Sequence, residues 1–121
     1  MYTAGRFACT PEPPLQHWLL LPGRFFPIMV RYYLVKGRVQ GVGFRWFVHR
    51  EAAALDLRGW VRNTESGHVE VVATGDEQEL RRLEAQLAKG SRGSRVDRIE
   101  RRDLNPGEAD ALGPFHIEGA W

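Results

Sequence analysis

Three glycines and two arginines crowd the nine residues Gly37-Arg38-Val39-Gln40-Gly41-Val42-Gly43-Phe44-Arg45, and their order suits the capture of an anion. The run leaves an apolar stretch of strand character (Tyr32-Tyr33-Leu34-Val35) and enters a helical pattern (Phe44, Phe47, Val48, Ala52, Leu55). The first N–H groups of a helix have no partner within it, and the helix dipole puts partial positive charge at the same end. Gly37, Gly41 and Gly43 open backbone conformations that other residues resist, and they let a ligand come close to the main chain. Arg45, at the start of the helix, adds a fixed charge and a planar fork of donors that matches phosphate. The result is an oxyanion cradle with phosphate as its guest. It is neither a Walker A loop, since no Lys-Ser/Thr follows, nor a dinucleotide fingerprint, since the Gly-x-Gly-x-x-Gly spacing is absent. Alone, the turn is equally compatible with a tight connection that holds nothing.

A second run, Gly59-Trp60-Val61-Arg62-Asn63-Thr64, supplies what the turn lacks. Gly37 to Arg45 resembles the signature of the acylphosphatases, small enzymes that hydrolyse the carboxyl–phosphate bond, and the second run resembles another motif of that family at the expected distance. The similarity continues through Gly67-His68-Val69-Glu70 and Val96-Asp97-Arg98-Ile99 to Phe115-His116-Ile117, and so covers about residues 30 to 117. It implies that Arg45 is the catalytic arginine and that Asn63, eighteen residues later, is the catalytic asparagine. It further implies that Arg38, Val39, Gln40, Gly41, Val42, Gly43 and Arg45 bind the phosphoryl group while Asn63 orients the attacking water. The partner is then a small-molecule acyl phosphate. At the catalytic positions the sequence does not depart from the family pattern.

That chemistry is consistent with the residue types. An asparagine amide can accept from a water and donate to an oxygen at once. Phosphoryl transfer through a loose transition state asks mostly for positioning and charge stabilisation. A carboxylate leaves readily, so a strong general acid is unnecessary, and none stands beside Arg45. His49, four positions after Arg45, shares its helical face but reads as a solvated helix histidine rather than a base. His68, after the glycine of a turn, reads as exposed. Phe44, Trp46 and Trp60 read as packing rather than as contacts for an acyl group.

The elements that must position these groups follow from the pattern of apolar residues. A strand over about 31–36 leads into a helix over 44–55. A second strand over 57–63 alternates so that Val61 and Asn63 share one face, with Trp60 and Arg62 on the other. Thr64 to Gly67 forms a hairpin turn, and 69–74 returns as a third strand. Asp76 and Glu79 read as a capping box opening a helix with Leu80, Leu83 and Leu87 on one face, which stops at Gly90. Residues 96–104 form a fourth strand, whose Val96-to-Ile99 spacing breaks alternation and predicts a bulge. Phe115 to Ile117 is a short terminal strand. The order βαββαβ plus an edge strand predicts an α+β, ferredoxin-like sandwich: an antiparallel sheet with two helices on one face and a short extra C-terminal strand.

Whole-chain properties narrow the function classes. With 121 residues, 43% hydrophobic and 26% charged, the composition is that of one globular domain. The net charge of +2 gives no strong affinity for polyanions. Cys9 is the sole cysteine, so no internal disulfide forms, which suits a cytoplasmic location. No Cys/His cluster has metal spacing, so no metal and no cofactor are expected. No apolar run approaches the ~20 residues that span a bilayer, so no membrane partner is expected. Residues 1–28 hold five of the seven prolines and read as a poorly ordered extension or a start mis-assigned ahead of Met29; residues 29–121 form the domain.

Two rivals remain. One is a ferredoxin-like nucleic-acid-binding module, since Gly43 to Val48 echoes an RNA-recognition aromatic string. That string has to lie on a strand to stack bases, and here it falls on a helix. Arg92, Arg95, Arg98, Arg101 and Arg102 are interrupted by Asp97, Glu100 and Asp103 and read as a solvated edge, so no nucleic acid partner is expected. The other rival is a non-catalytic acylphosphatase-like domain. No zinc-finger cysteines follow the domain, which favours a free-standing enzyme; a monomer is expected.

Overall fold

Alternate residues of the first strand part company: Tyr33 and Val35 are fully buried against the helices, while Tyr32 and Leu34 are half-buried on the opposite face of the sheet. The computed structural model describes residues 28–119; the expected N-terminal extension lies outside them except for Ile28. The elements are β1 (Met29–Arg38), α1 (Phe44–Ala54), β2 (Arg58–Asn63), β3 (Val69–Gly75), α2 (Glu77–Lys89), β4 (Arg95–Leu104) and β5 (His116–Ile117), with a 3-10 helical turn at Pro106–Ala111 before β5. They form one five-stranded sheet in the order β4-β1-β3-β2-β5. The ferredoxin-like arrangement is therefore present.

The short C-terminal strand extends the expected antiparallel sheet. β1 to β4 pair antiparallel with one another, but β5 pairs parallel with β2, so the sheet is mixed. Strand directions explain why. The chain leaves β4 at the sheet edge away from the β1–α1 turn, so a returning strand must run the way β1 and β2 run. The 3-10 turn, which the sequence reading omitted, lies on this return path and packs against β1.

Helical periodicity fills the space over the sheet. Phe44, Val48 and Ala52 of α1 and Leu80, Leu83 and Leu87 of α2 meet Val61, Val69, Val71 and Ala73 in one core. The capping box is formed: the Asp76 carboxylate accepts from the Glu79 N–H at 2.8 Å, and the Glu79 carboxylate accepts from the Asp76 N–H at 3.3 Å. The expected bulge is also formed. Lys36 faces Arg98 and Gly37 faces Val96, which leaves Asp97 as the extra residue of β4. Gly37 has φ 139°, and a Cβ there would run into the Arg95 carbonyl, so the bulge and the start of the functional turn both require glycine.

Tyr33 ties α2 to the sheet, donating from its hydroxyl to the Leu80 carbonyl at 3.2 Å. Burial, reinforced by the Glu84 charge, pushes its pKa up to about 12. This lies above the unfolded value of about 10, so ionisation favours the unfolded chain. The contribution of Tyr33 is whole below pH ~10 and declines as the pH rises toward 12. Tyr33→Phe is expected to lose about 1 kcal/mol at neutral pH and to show a shallower fall in stability above pH ~10 than the wild type. Urea midpoints across that range check this; parallel declines would refute it.

The helix-free face is occupied by its own polar network. The Tyr32 hydroxyl donates to Glu70 at 2.6 Å, and Arg62 Nε donates to the other oxygen of the same carboxylate at 2.8 Å. The Arg62 guanidinium lies 4.6 Å from the centre of the Trp60 ring, and that of Arg102 lies 4.8 Å from the Tyr32 ring. These rings are thus already stacked by cations. On β4, Arg95 pairs with Asp97, Arg98 with Glu100, and Arg101 with Glu84. The RNA-like string of Gly43 to Val48 runs into α1 and not along a strand.

Candidate active site

Sheet register brings the two motifs together. β1 and β2 are each antiparallel to β3 and so run in the same direction, which puts the turn after β1 and the end of β2 at one edge. Val35 and Asn63 are both opposite Val69 of β3. Two interstrand spacings, about 10 Å, therefore separate β1 from β2 at this level. Gln40 bridges the gap: its Nε2 donates to the carbonyls of Thr64 at 2.8 Å and His68 at 2.7 Å. The hairpin that receives it is closed by Thr64 N–H to the His68 carbonyl at 2.9 Å and by His68 N–H to Thr64 Oγ1 at 3.1 Å.

Within the turn, the side chains divide between anchoring and open space. Val39 is buried in the core, and Val42 packs against it. With Gln40 held to the hairpin, these three residues present only main chain to a ligand. Arg38 is exposed at the end of β1. Gly41 and Gly43 adopt left-handed φ values of 74° and 75°, and a Cβ built at either would have nothing within 4 Å. Gly43 caps α1 with no side-chain bond, and the first helical bond runs from Phe47 N–H to the Gly43 carbonyl at 3.1 Å. None of the N–H groups from Gln40 to Trp46 finds an acceptor among the described residues. Successive unpaired amides beside left-handed residues make a concavity suited to an anion. Arg45 stands half-buried in the first turn of α1, and no carboxylate pairs with it among the described residues.

Asn63 shares the helix-facing side of β2 with Val61, as the alternation predicted. It is 7% exposed, and its Oδ1 is enclosed with no donor among the described residues. A buried polar atom left unpaired costs about 1–3 kcal/mol, so it calls for an explanation other than packing.

Other residues considered from sequence sit differently. His49 is partly exposed on α1, and its ring lies 6.1 Å from Trp46 and 6.2 Å from Phe115, centre to centre. His68, read from sequence as exposed, is half-buried, with Nδ1 enclosed. Phe44 is core, and Trp60 packs under Arg62. Trp46, read from sequence as packing, is 69% exposed, since it points away from the side of α1 that buries Phe44 and Val48. The sequence reading also missed the anchoring role of the Gln40 side chain. Among the described residues, no group of three His, Cys, Asp or Glu could hold a metal ion, and no helix is long and apolar enough to cross a membrane.

Known proteins resemble this chain in sequence and in fold. A family model described as Acylphosphatase matches residues 31–117. A curated acylphosphatase of Koribacter versatilis is 55% identical over 91 residues, covering 75% of this chain and 81% of its own length. Among solved structures, an acylphosphatase from Bacillus subtilis superposes with a TM-score of 0.71 at 36% identity, covering 75% of this chain and 99% of its own. An acylphosphatase from Coxiella burnetii gives 0.69 at 30% identity, covering 75% and 93% respectively. By the span of the family match and the identity of these relatives, the chain belongs to the acylphosphatase family.

Proposed function

We propose that this chain hydrolyses the carboxyl–phosphate bond of acyl phosphates, with the Arg38–Gly43 turn and Arg45 holding the phosphoryl group and Asn63 holding the attacking water. Water oxygen bonds to phosphorus as the bond to the carboxylate oxygen breaks. The carboxylate departs with its electron pair, and the proton of the water ends on phosphate. The unpaired N–H groups from Gln40 to Trp46 and the Arg45 guanidinium stabilise the equatorial oxygens, whose charge changes as the transition state forms. The Asn63 amide fixes the direction of attack, so that the reacting atoms meet as an intramolecular pair. The observation that carries this reading is a turn full of unpaired N–H donors, followed by Arg45 in the first turn of α1, at the same end of the sheet as Asn63.

Because Arg45 and the main chain supply the positive potential, the reaction is proposed to proceed without a metal. All the groups come from one chain, so a monomer suffices, and a small diffusible substrate fits a cytoplasmic enzyme without a nucleic acid partner. Hydrolysis of benzoyl phosphate in the presence of EDTA is the test. Sustained turnover is expected. Folded protein that binds inorganic phosphate but does not turn over benzoyl phosphate would overturn the reading in favour of a non-catalytic domain.

A further inference from the structure

The Gln40 side chain turns toward the hairpin that follows Asn63, and its amide spans the distance to it. We infer that Gln40 is a positioning residue that sets the phosphate cradle and Asn63 at their working separation. This rests on the reading of Asn63 as the group that orients the water.

The geometry is specific. Nε2 carries two hydrogens, and both are used, one on the Thr64 carbonyl at 2.8 Å and one on the His68 carbonyl at 2.7 Å. The opposite orientation of the amide would set its oxygen against two carbonyls, so the assignment of the nitrogen is unambiguous. The two acceptors belong to opposite sides of the hairpin mouth, immediately after Asn63 and immediately before Val69. The bonds therefore tie a residue of the turn to the hairpin 24 and 28 positions further along the chain. β1 and β2 are not neighbours in the sheet, because β3 lies between them. Among the described residues, no other side-chain hydrogen bond joins the turn to the hairpin, so sheet twist and breathing would otherwise change their separation freely.

Such a crossbar acts on relative position more than on the affinity of either half. A displacement of about 1 Å between reacting groups can lower turnover by as much as 10²-fold. Phosphate binding, by contrast, draws on the turn amides and Arg45 alone.

The test is a double-mutant comparison with benzoyl phosphate as substrate and inorganic phosphate as inhibitor. Gln40→Met keeps the length and apolar stem of the side chain and removes both donors. In the wild-type background it is expected to lower kcat by about 10-fold or more while leaving the inhibition constant of phosphate within a fewfold of its original value. In the Asn63→Ala background the same change is expected to cost little further, because the group it positions is gone. Equal losses in both backgrounds, a matching loss of phosphate affinity, or an unchanged kcat would each overturn the inference. Should Gln40→Met be unfolded at the assay temperature, Gln40→Asn, which keeps the amide one methylene short, takes its place under the same comparison. Failure of both to fold would assign Gln40 to the fold and likewise end the proposal. Full activity in Asn63→Ala would instead refute the role of Asn63, and so is distinguishable from failure of the Gln40 inference alone.

Discussion

Arg45→Ala is expected to lower kcat/KM for benzoyl phosphate by about 10³–10⁵-fold, the range associated with an arginine placed on a transferring phosphoryl group. At 1.36 kcal/mol per decade this is about 4–7 kcal/mol of lost transition-state stabilisation. The size follows from the surroundings of the residue. Among the described residues no carboxylate pairs with Arg45, so its charge is not already spent on a structural ion pair. It is half-buried in the first turn of α1, where the helix dipole adds positive potential of the same sign as its own. Like charges held together in this way favour a bound dianion over the empty site. The ground state should therefore suffer as well as the transition state, and the inhibition constant of inorganic phosphate should rise in parallel. Arg45→Lys should recover part of the phosphate affinity through its charge and little of the turnover, because an ammonium lacks the planar pair of donors. Unchanged phosphate inhibition in Arg45→Ala would remove the residue from the cradle.

How far these features could be read from the chain depended on whether they were local. The capping box of Asp76 and Glu79, the leucine stripe of α2 and the shared face of Val61 and Asn63 are periodic signals within one element, and the structure reproduces them. The bulge at Asp97 is also local, since a broken alternation in β4 announces it. The direction of β5 is different. Two residues carry no preference of their own, and the parallel pairing is imposed by where β4 ends and which strand edge remains open. Trp46 stands in a run of aromatics, Phe44 to Phe47, in which composition does not tell which ring faces the core. The Gln40 side chain was hardest to place. A glutamine in a glycine-rich turn gives no sign of acceptors 24 and 28 positions away, so sequence grouped it with the phosphate-binding main chain. In the fold only its N–H can serve in that capacity. Arg45 and Asn63 could be singled out because two motifs occurred at a fixed spacing, whereas the Gln40 bonds that join the turn to the hairpin could not.

Asn63→Ala is expected to reduce kcat by about 10²–10³-fold, or about 2.7–4 kcal/mol, as for other preorganised polar groups aimed at a reacting centre. The inhibition constant of phosphate should stay within a fewfold of its original value, because the turn and Arg45 are untouched. This separates Asn63 from Arg45: loss in kcat alone marks a group that acts on the transition state, and loss in both marks one that also binds the ground state. Stability provides a second, independent discriminator. If Asn63 served as a turn former, its removal would lower the melting temperature. Its enclosed Oδ1, however, has no donor among the described residues, and a buried unpaired polar atom is destabilising by about 1–3 kcal/mol. Replacing it with a methyl group removes that penalty and leaves only a small void, so the melting temperature should hold or rise while activity falls. An activity loss without a stability loss is the pattern of a residue kept for the reaction at some expense to the fold. A fall in melting temperature accompanied by near-normal kcat would reverse the assignment and make Asn63 part of the hairpin.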